Sequence, residues 1–524
     1  MRVSRGLGST PTARRLARRR PVSPPVVLLL AAAVSLFGLV PLGYVVITAV
    51  STGWPTLSRL LWRPRVAELL LNTVSLVVVT VPLCALVGIV AAWLVERSTI
   101  AGPRVFAVLL AAPLAIPAFV NSYGWVSVVP SLHGLWSGVL VAGLSYFPLV
   151  YLPCVASLRR LDPAVEEAAR SLGRSPLVTF VTVVLPQLRL PILGGSLLIA
   201  LHLLSEYGAF ALIRFDTFTT AIVEQYRSTF NGPAANALAG VLVLCCLVVL
   251  CGETALRGRA RFSRVGSGSP RPVPRHRLRR LAPLGYVFLL SLTGLSIGVP
   301  VLSVARWLVL GDLQVWSDRF ISAALLQTLA YGLLAALATC AAAAPIAFLA
   351  VRFPGPLVRV LESITYVTSS LPALVAALAL VTVTIRLAQP LYQTSALVVL
   401  AYLIVFLPRA VVNLRAGLSQ VPPGLEEAAG ALGVRPVLAF VRVTLRFVAP
   451  SALAGGALVF LGVVNELTAT LLLAPNGTRT LATQFWSKVN DIDYVGAAPY
   501  ATLMILASLP VTYFLFVRAR VQSG

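Results

Sequence analysis

Apolar residues along the chain fall into long runs, without the two-residue alternation of half-buried strands and without the single stripe of a soluble helix. Twelve segments, 26–50, 69–94, 104–125, 135–158, 191–213, 235–252, 281–305, 322–350, 360–385, 394–414, 450–474 and 497–517, lie near the roughly 20 residues that carry a helix across a bilayer. The pattern predicts an all-α polytopic membrane protein, with short polar segments rich in arginine between the spans.

Composition narrows the class further. Only 11% of residues are charged and 58% are apolar, against roughly 25% charged in a soluble domain, so a soluble enzyme, a disordered chain and a disulfide-rich secreted module are poor fits. The formal charge of +25 is almost all arginine, with Lys488 the only lysine. It gathers at the termini and in 159–190, 253–280 and 415–449, an arrangement that positive-inside topology explains and a nucleic-acid surface does not. The first span follows Arg14, Arg15, Arg18, Arg19 and Arg20 and is long for a cleaved signal, which predicts a retained anchor with both termini inside. Cys84, Cys154, Cys245, Cys246, Cys251 and Cys340 lie in or beside apolar spans, where reduced thiols are expected.

The chain is duplicated. LDPAVEEAARSLGRSP at 161–176 matches QVPPGLEEAAGALGVRP at 420–436, so that Glu166, Glu167, Ala168, Ala169 and Gly173 recur 260 residues later as Glu426, Glu427, Ala428, Ala429 and Gly433. Leu71-Asn72-Thr73 recurs as Leu326-Gln327-Thr328, and Ile116-Pro117-Ala118 as Leu371-Pro372-Ala373, at a spacing of 255. Parallel six-span halves are predicted, 26–254 and 281–519, joined by a basic linker over 255–280 and flanked by a basic N-terminus (1–25) and a short tail (520–524).

Each repeated segment reads as a short helix. Asp162 before Pro163, and Pro422 or Pro423, supply starts; the paired glutamates suit the positive end of the helix dipole; Gly173 and Gly433 permit the exit turn. One such helix is explained by packing on its own bundle. Two, equally placed in duplicated halves, look like matched sockets for a two-fold partner.

These segments resemble the EAA motif of the permease subunits of binding-protein-dependent ABC importers, in the branch that contains ferric-iron and thiamine permeases. EEAARSLG at 166–173 is followed by Leu185-Pro186, and EEAAGALG at 426–433 by Leu445, with Arg446 where proline is usual and Pro450 just beyond. The resemblance implies a type I importer-like permease without chemistry or cofactor of its own in a bacterial cell membrane. It implies two cytoplasmic ABC ATPase subunits that use ATP and Mg, an extracytoplasmic solute-binding protein, membrane lipid around the spans, and no nucleic acid. The ten EAA-segment residues named above would serve ATPase coupling, with Arg170, Arg174 and Arg435 as possible additional contacts. No GxxxxGK[ST] sequence occurs to bind ATP in this chain.

Glu206 and Glu466 hold matching places in the fifth span of each half, and an ionisable group at membrane depth faces a cavity, a partner or another helix. Tyr207 follows the first; Asn121, Ser122 and Tyr123 end the third span. Carboxylate and phenolate oxygens suit a hard ferric ion, and equally a cationic organic solute. Aromatic residues at span ends also serve as interface anchors. His133, His202 and His276 are too dispersed in sequence to form a metal site. Within the importer class thiamine, a polyamine or another small solute stands beside iron. A secondary transporter gives no reason for paired EAA helices, and no nucleophile-and-base set points to a membrane enzyme.

Overall fold

The computed structural model describes residues 24–161, 163–227, 232–257, 275–369 and 371–521. Among these residues there is no β-sheet, only helices and one isolated bridge. Eight helices are long and apolar enough to cross a membrane by themselves: Pro64–Arg97, Gly134–Arg160, Ala234–Leu256, Arg279–Gly311, Ile321–Arg352, Ser395–Ser419, Phe440–Val464 and Tyr494–Leu515. Four further bent pairs bring the total to twelve.

The bends correct the expectation of twelve continuous helices. The third and ninth spans turn by 96° and 104°, between Pro103–Ala115 and Ala118–Val128 and between Pro356–Thr368 and Ala373–Leu387. Pro117 and Pro372 stand at these corners with extended ψ of 143° and 142°. Proline lacks the N–H that would continue the ladder and pushes the residue before it out of the helical region, which is why Ile-Pro-Ala and Leu-Pro-Ala recur. The first span breaks by 45° between Pro25–Gly38 and Val40–Thr52, with Pro41 at the restart. The fifth and eleventh spans begin about ten residues earlier than expected, through π-helical turns at Phe180–Val184 and Phe440–Thr444, and stop at Ser205 and Val464.

The recurring Asn72-Thr73 and Gln327-Thr328 also acquire a purpose. Asn72 donates to the Asp216 carbonyl and Thr73 accepts from the Phe218 amide; Gln327 accepts from the Arg479 amide and Thr328 from the Leu481 amide. In each half the second span thus holds the start of the short helix that follows the fifth, Phe218–Arg227 or Leu481–Asn490.

Each half has its own apolar core, and two further cores are shared. Phe119, Val120 and Tyr123 pack with Leu481, Phe485, Trp486 and Tyr500, and Phe218 and Ile222 with Leu371, Leu374 and Leu378. The first span of each half crosses to the other. Pro25–Gly38 lies on Ile321–Arg352 and Pro356–Ser369, and Val299–Gly311 lies on Ala118–Val128. Ser35 donates to the Leu361 carbonyl at 3.3 Å and Tyr44 to Thr382 at 3.0 Å, while Trp307 donates to Ser127 at 3.0 Å. Leucine and valine cover the outward surfaces, as at Leu29, Leu71, Val78, Leu302 and Leu337.

The closest of these crossings sets a prediction. A Cβ on Gly124 would meet the Pro300 backbone at 2.6 Å. Gly124→Val therefore destabilises the protein by about 1–3 kcal/mol, the usual cost of overpacking, measured as a lower melting midpoint of the purified chain in detergent.

Candidate functional site

The two EAA segments are helices at Pro163–Ser171 and Pro423–Ala431. Pro422 is the N-cap of the second and Pro423 its first residue; Asp162 lies outside the described residues. Both helices end alike. Gly173 and Gly433 adopt φ of 83° and 79°, the left-handed region open to glycine. The Arg174 and Val434 amides reach back to the carbonyls of Ala169 and Ala429 at 3.3 and 3.0 Å, closing both as Schellman motifs.

The motif residues divide by face. Glu166 and Ala169 turn inward, whereas Glu167 and Ala168 are exposed. In the second copy Glu426 and Ala429 are partly covered and Ala428 is exposed; the Glu427 side chain lies outside the described residues. Glu166 pairs with Arg97 at 3.0 Å and Glu426 with Arg352 at 3.1 Å. Both arginines end the second span of their half, 255 residues apart. Each also donates to a carbonyl at the end of the fourth span, Arg97 to Leu158 at 3.1 Å and Arg352 to Val421 at 3.4 Å, and Thr444 donates to Glu426. Each EAA helix is thereby tied through one guanidinium to two spans.

Arg97 and Arg352 were not among the sequence candidates, although an arginine recurring at matching span ends was the available signal. Of the arginines that were candidates, Arg170 contacts His276 and Arg174 donates to Thr182 at 2.9 Å, and Arg435 is exposed.

An apolar stripe runs along the outer side of each helix, beside Glu167 in the first. Val165, Ala168 and Leu172, and in the second copy Leu425, Ala428 and Leu432, follow i, i+3, i+7 spacing. Leu172 is 82% exposed and Leu432 84%. Matching apolar stripes at matching helices suit a partner with two equivalent grooves.

A second constellation sits at breaks in the fifth span of each half. The fifth span stops at Ser205, Glu206 is extended (φ −74°, ψ 124°), and a short helix resumes at Gly208–Leu212. In the other half the helix stops at Val464 and resumes at Thr468–Leu473. The glutamates are thus at breaks, where the sequence pattern had placed them within continuous spans. Each carboxylate caps the helix beyond it: Glu206 accepts from the Ala209 amide at 3.0 Å and Glu466 from the Ala469 amide at 2.9 Å. The breaks adjoin, because a Cβ on Gly208 would meet both Phe119 and Leu467 at 2.9 Å. Both glutamates keep accessible surface.

Around this symmetric pair the surroundings differ. Tyr146 donates to Glu206 at 2.7 Å, and its ring lies 5.4 Å from that of His202. The matching positions, 260 residues on, are Phe406 and Gly462. Into the room left by Gly462 reaches Arg409, whose Nη1 would stand 2.8 Å from a Cβ there and whose guanidinium covers the Phe406 ring at 4.8 Å; its counterpart in the first half is Leu149. Arg409 was missed because a lone arginine in an apolar run reads as a span boundary. Tyr207 packs on Trp486 with ring centroids 5.2 Å apart.

The remaining candidates are not brought to the breaks as ligands. Asn121 is buried and donates to Ser145 at 2.8 Å. Tyr123 is fully buried in the shared core and donates to the Tyr494 carbonyl at 2.6 Å, where an aromatic anchor would present its ring at the surface. Ser122 donates to the Ala209 carbonyl.

Residues 46–262 and 343–522 match the family described as binding-protein-dependent transport system inner membrane component. The chain belongs to that family: it is the transmembrane permease component of an ABC-type importer, a multi-pass membrane protein and not an enzyme. It is 39% identical over 481 residues, 90% of this chain and 94% of the relative, to the Fe(3+)-transport system permease protein FbpB 2 of Haemophilus influenzae. It is 27% identical over 247 residues to the sulfate transport system permease protein CysT of Salmonella typhimurium and 26% identical over 247 to CysW of Escherichia coli. Those matches span 89% and 83% of the sulfate permeases but 43% and 42% of this chain, so most of a sulfate permease corresponds to less than half of it.

The Arg97–Glu166 pair is almost wholly buried, with 3% and 13% of the two side chains exposed. Arg97→Met leaves a carboxylate without its partner and costs about 3–5 kcal/mol, most of which Arg97→Met combined with Glu166→Leu recovers. Thermal unfolding of the two variants measures the difference.

Proposed function

We propose that this permease carries ferric iron, free or chelated, and that its two EAA helices are the docking stations for a pair of cytoplasmic ATPase subunits. The matched exposed apolar stripes through Leu172 and Leu432 carry the docking reading. Glu166, Glu167, Ala168, Ala169 and Gly173, with Glu426, Glu427, Ala428, Ala429 and Gly433, form the coupling segments. Arg97 and Arg352 pass their displacement to the second and fourth spans. An extracytoplasmic binding protein delivers cargo to the opposite face. Arginine retention puts 159–190, 253–280, 415–449 and both termini on the cytoplasmic side, and makes 255–280 the tether between permease halves 26–254 and 281–519.

Glu206 and Glu466, with Tyr207 beside them, line the path where the halves meet. Two carboxylates and the Tyr146 phenol offer the hard oxygen donors that ferric ion favours, and the iron-permease relative similar over most of the chain supports this cargo. Arg409 and His202 give an anion a place as well, and the sulfate permeases among the relatives make sulfate the comparison cargo.

Uptake of labelled ferric iron into vesicles holding the chain, its ATPase and its binding protein tests the cargo. ATP-dependent iron uptake is expected; sulfate uptake in its place overturns iron, and robust transport without the ATPase overturns the coupling scheme. Glu466→Gln is expected to lower iron uptake about tenfold or more while binding-protein-stimulated ATP hydrolysis persists, since about 1.4 kcal/mol on a barrier is tenfold in rate. Leu172→Asp with Leu432→Asp is expected to abolish co-purification of the ATPase at an unchanged melting midpoint. A complex that survives both changes would falsify docking at these stripes.

A further inference from the structure

The chain that returns from the inter-half segment meets the first half before it enters the second. His276 forms a parallel bridge with Ser98, the one strand-like pairing among the described residues. Its amide donates to the Arg97 carbonyl at 2.7 Å and its carbonyl accepts from the Thr99 amide at 3.1 Å. The imidazole stacks on Trp93, with centroids 6.1 Å apart and planes 15° apart, and Arg170 Nη2 lies 2.9 and 3.0 Å from the two ring nitrogens. One residue thus touches the end of the second span and the first EAA helix together. Two residues on, Leu278 packs into the core of the first half.

The second half is built otherwise. Trp93, Ser98 and Arg170 correspond to Phe348, Phe353 and Gly430. Phe348 packs on Phe353 and on Phe440, at 5.7 and 5.8 Å, as Trp93 packs on Phe180 at 6.3 Å. Where the second half supplies a ring from the end of its own second span, the first has Ser98, whose hydroxyl turns back to the Leu94 carbonyl, and the ring comes from His276. Gly430 has no side chain to match Arg170. The socket for an inserted ring is specific to the first half.

We infer that His276 is a positioning residue of the first EAA helix: the end of the inter-half segment clasps that helix to its bundle, and among the described residues the second EAA helix has no such clasp. The inference rests on the proposed role of these helices in ATPase docking only for its consequence, which is that the two stations transmit the same displacement with unequal stiffness. The clasp itself is a property of this chain.

Its chemistry requires a neutral ring. A ring nitrogen accepts from Arg170 only when unprotonated. Burial first, then Arg170 and Arg97, hold His276 below the usual imidazole range. Arg170 faces it from the EAA helix and Arg97 and Trp93 from the second span, with Arg275 and Arg277 on its own segment. A proton would add a further cation beside Arg97 and Arg170, where the neighbouring carboxylates Glu166 and Glu96 are already paired with Arg97 and Arg159. The clasp is therefore complete above the ordinary imidazole pKa of about 6.5, and weakens as pH falls below that toward the depressed value of the docked ring.

Hydrogen exchange of the full chain with its ATPase and binding protein in nanodiscs tests this. His276→Ala is expected to raise exchange about tenfold over 163–173, the order expected for losing a hydrogen bond to a charged group, and to leave 423–433 unchanged. His276→Gln, whose amide oxygen still accepts from Arg170, is expected to restore protection and to remove the loss of protection that wild type shows between pH 7.5 and 5.5, after correction for intrinsic exchange. Iron taken up per ATP hydrolysed is expected to fall severalfold in His276→Ala and to recover in His276→Gln. Equal changes in both EAA helices, unchanged protection in His276→Ala, or a pH response that persists in His276→Gln each overturn the clasp. Failure of the docking reading is seen separately, as ATPase retained by the Leu172→Asp/Leu432→Asp variant.

Discussion

A bilayer offers no water to a broken helix, so every backbone group released by a break must find its partner in protein. This constraint governs the middle of the molecule. The fifth span of each half stops partway, and the amides of the resumed helix are met by Glu206 and Glu466. A carboxylate at such depth is tolerable only where protein or an enclosed aqueous path surrounds it. The breaks therefore have to sit where the two halves close on one another, and the exchange of first spans ties those halves together: Pro25–Gly38 packs on the second half and Val299–Gly311 on the first. Buried hydrogen bonds at Tyr123 and Trp307 then join elements that are distant in sequence.

The same frame carries unequal chemistry in its two halves. At membrane depth Tyr146 and His202 stand near one glutamate, and Arg409, fitted over Phe406 and Gly462, near the other. Beside the EAA helices one socket is plugged by Phe353 from its own half and the other by His276 from the segment between halves. Two separate permease chains could not hold the second arrangement by chain connectivity. Fusion places the plug beside its socket at little entropic cost, since closing a longer loop adds only slowly to that cost.

Much of this was legible beforehand. The number of spans, the duplication, the EAA helices and the glycines that end them follow from apolar run lengths, recurring motifs and the left-handed turn that glycine accepts. The helix breaks were less legible, although Pro117 and Pro372 announced two of them. Glu206 and Glu466 were visible as costly residues, but apolar periodicity runs straight through Ser205 and Val464 and gives no sign that the helix ends there. The contrast between Glu166, which turns inward, and Glu167, which is exposed, was invisible in a motif that writes both with one letter.

By itself the sequence determined a membrane-spanning all-helical chain with a duplicated short helix, because length, hydropathy and repetition are local or additive properties. Tertiary structure alone decided which arginine meets which glutamate, that Arg409 fills the room left by Gly462, that Tyr123 belongs to a shared core, and that His276 belongs to the first half. Those pairings join residues far apart in the chain, and in a low-dielectric interior they are selected by geometry within a few ångströms, a distance that residue order does not encode.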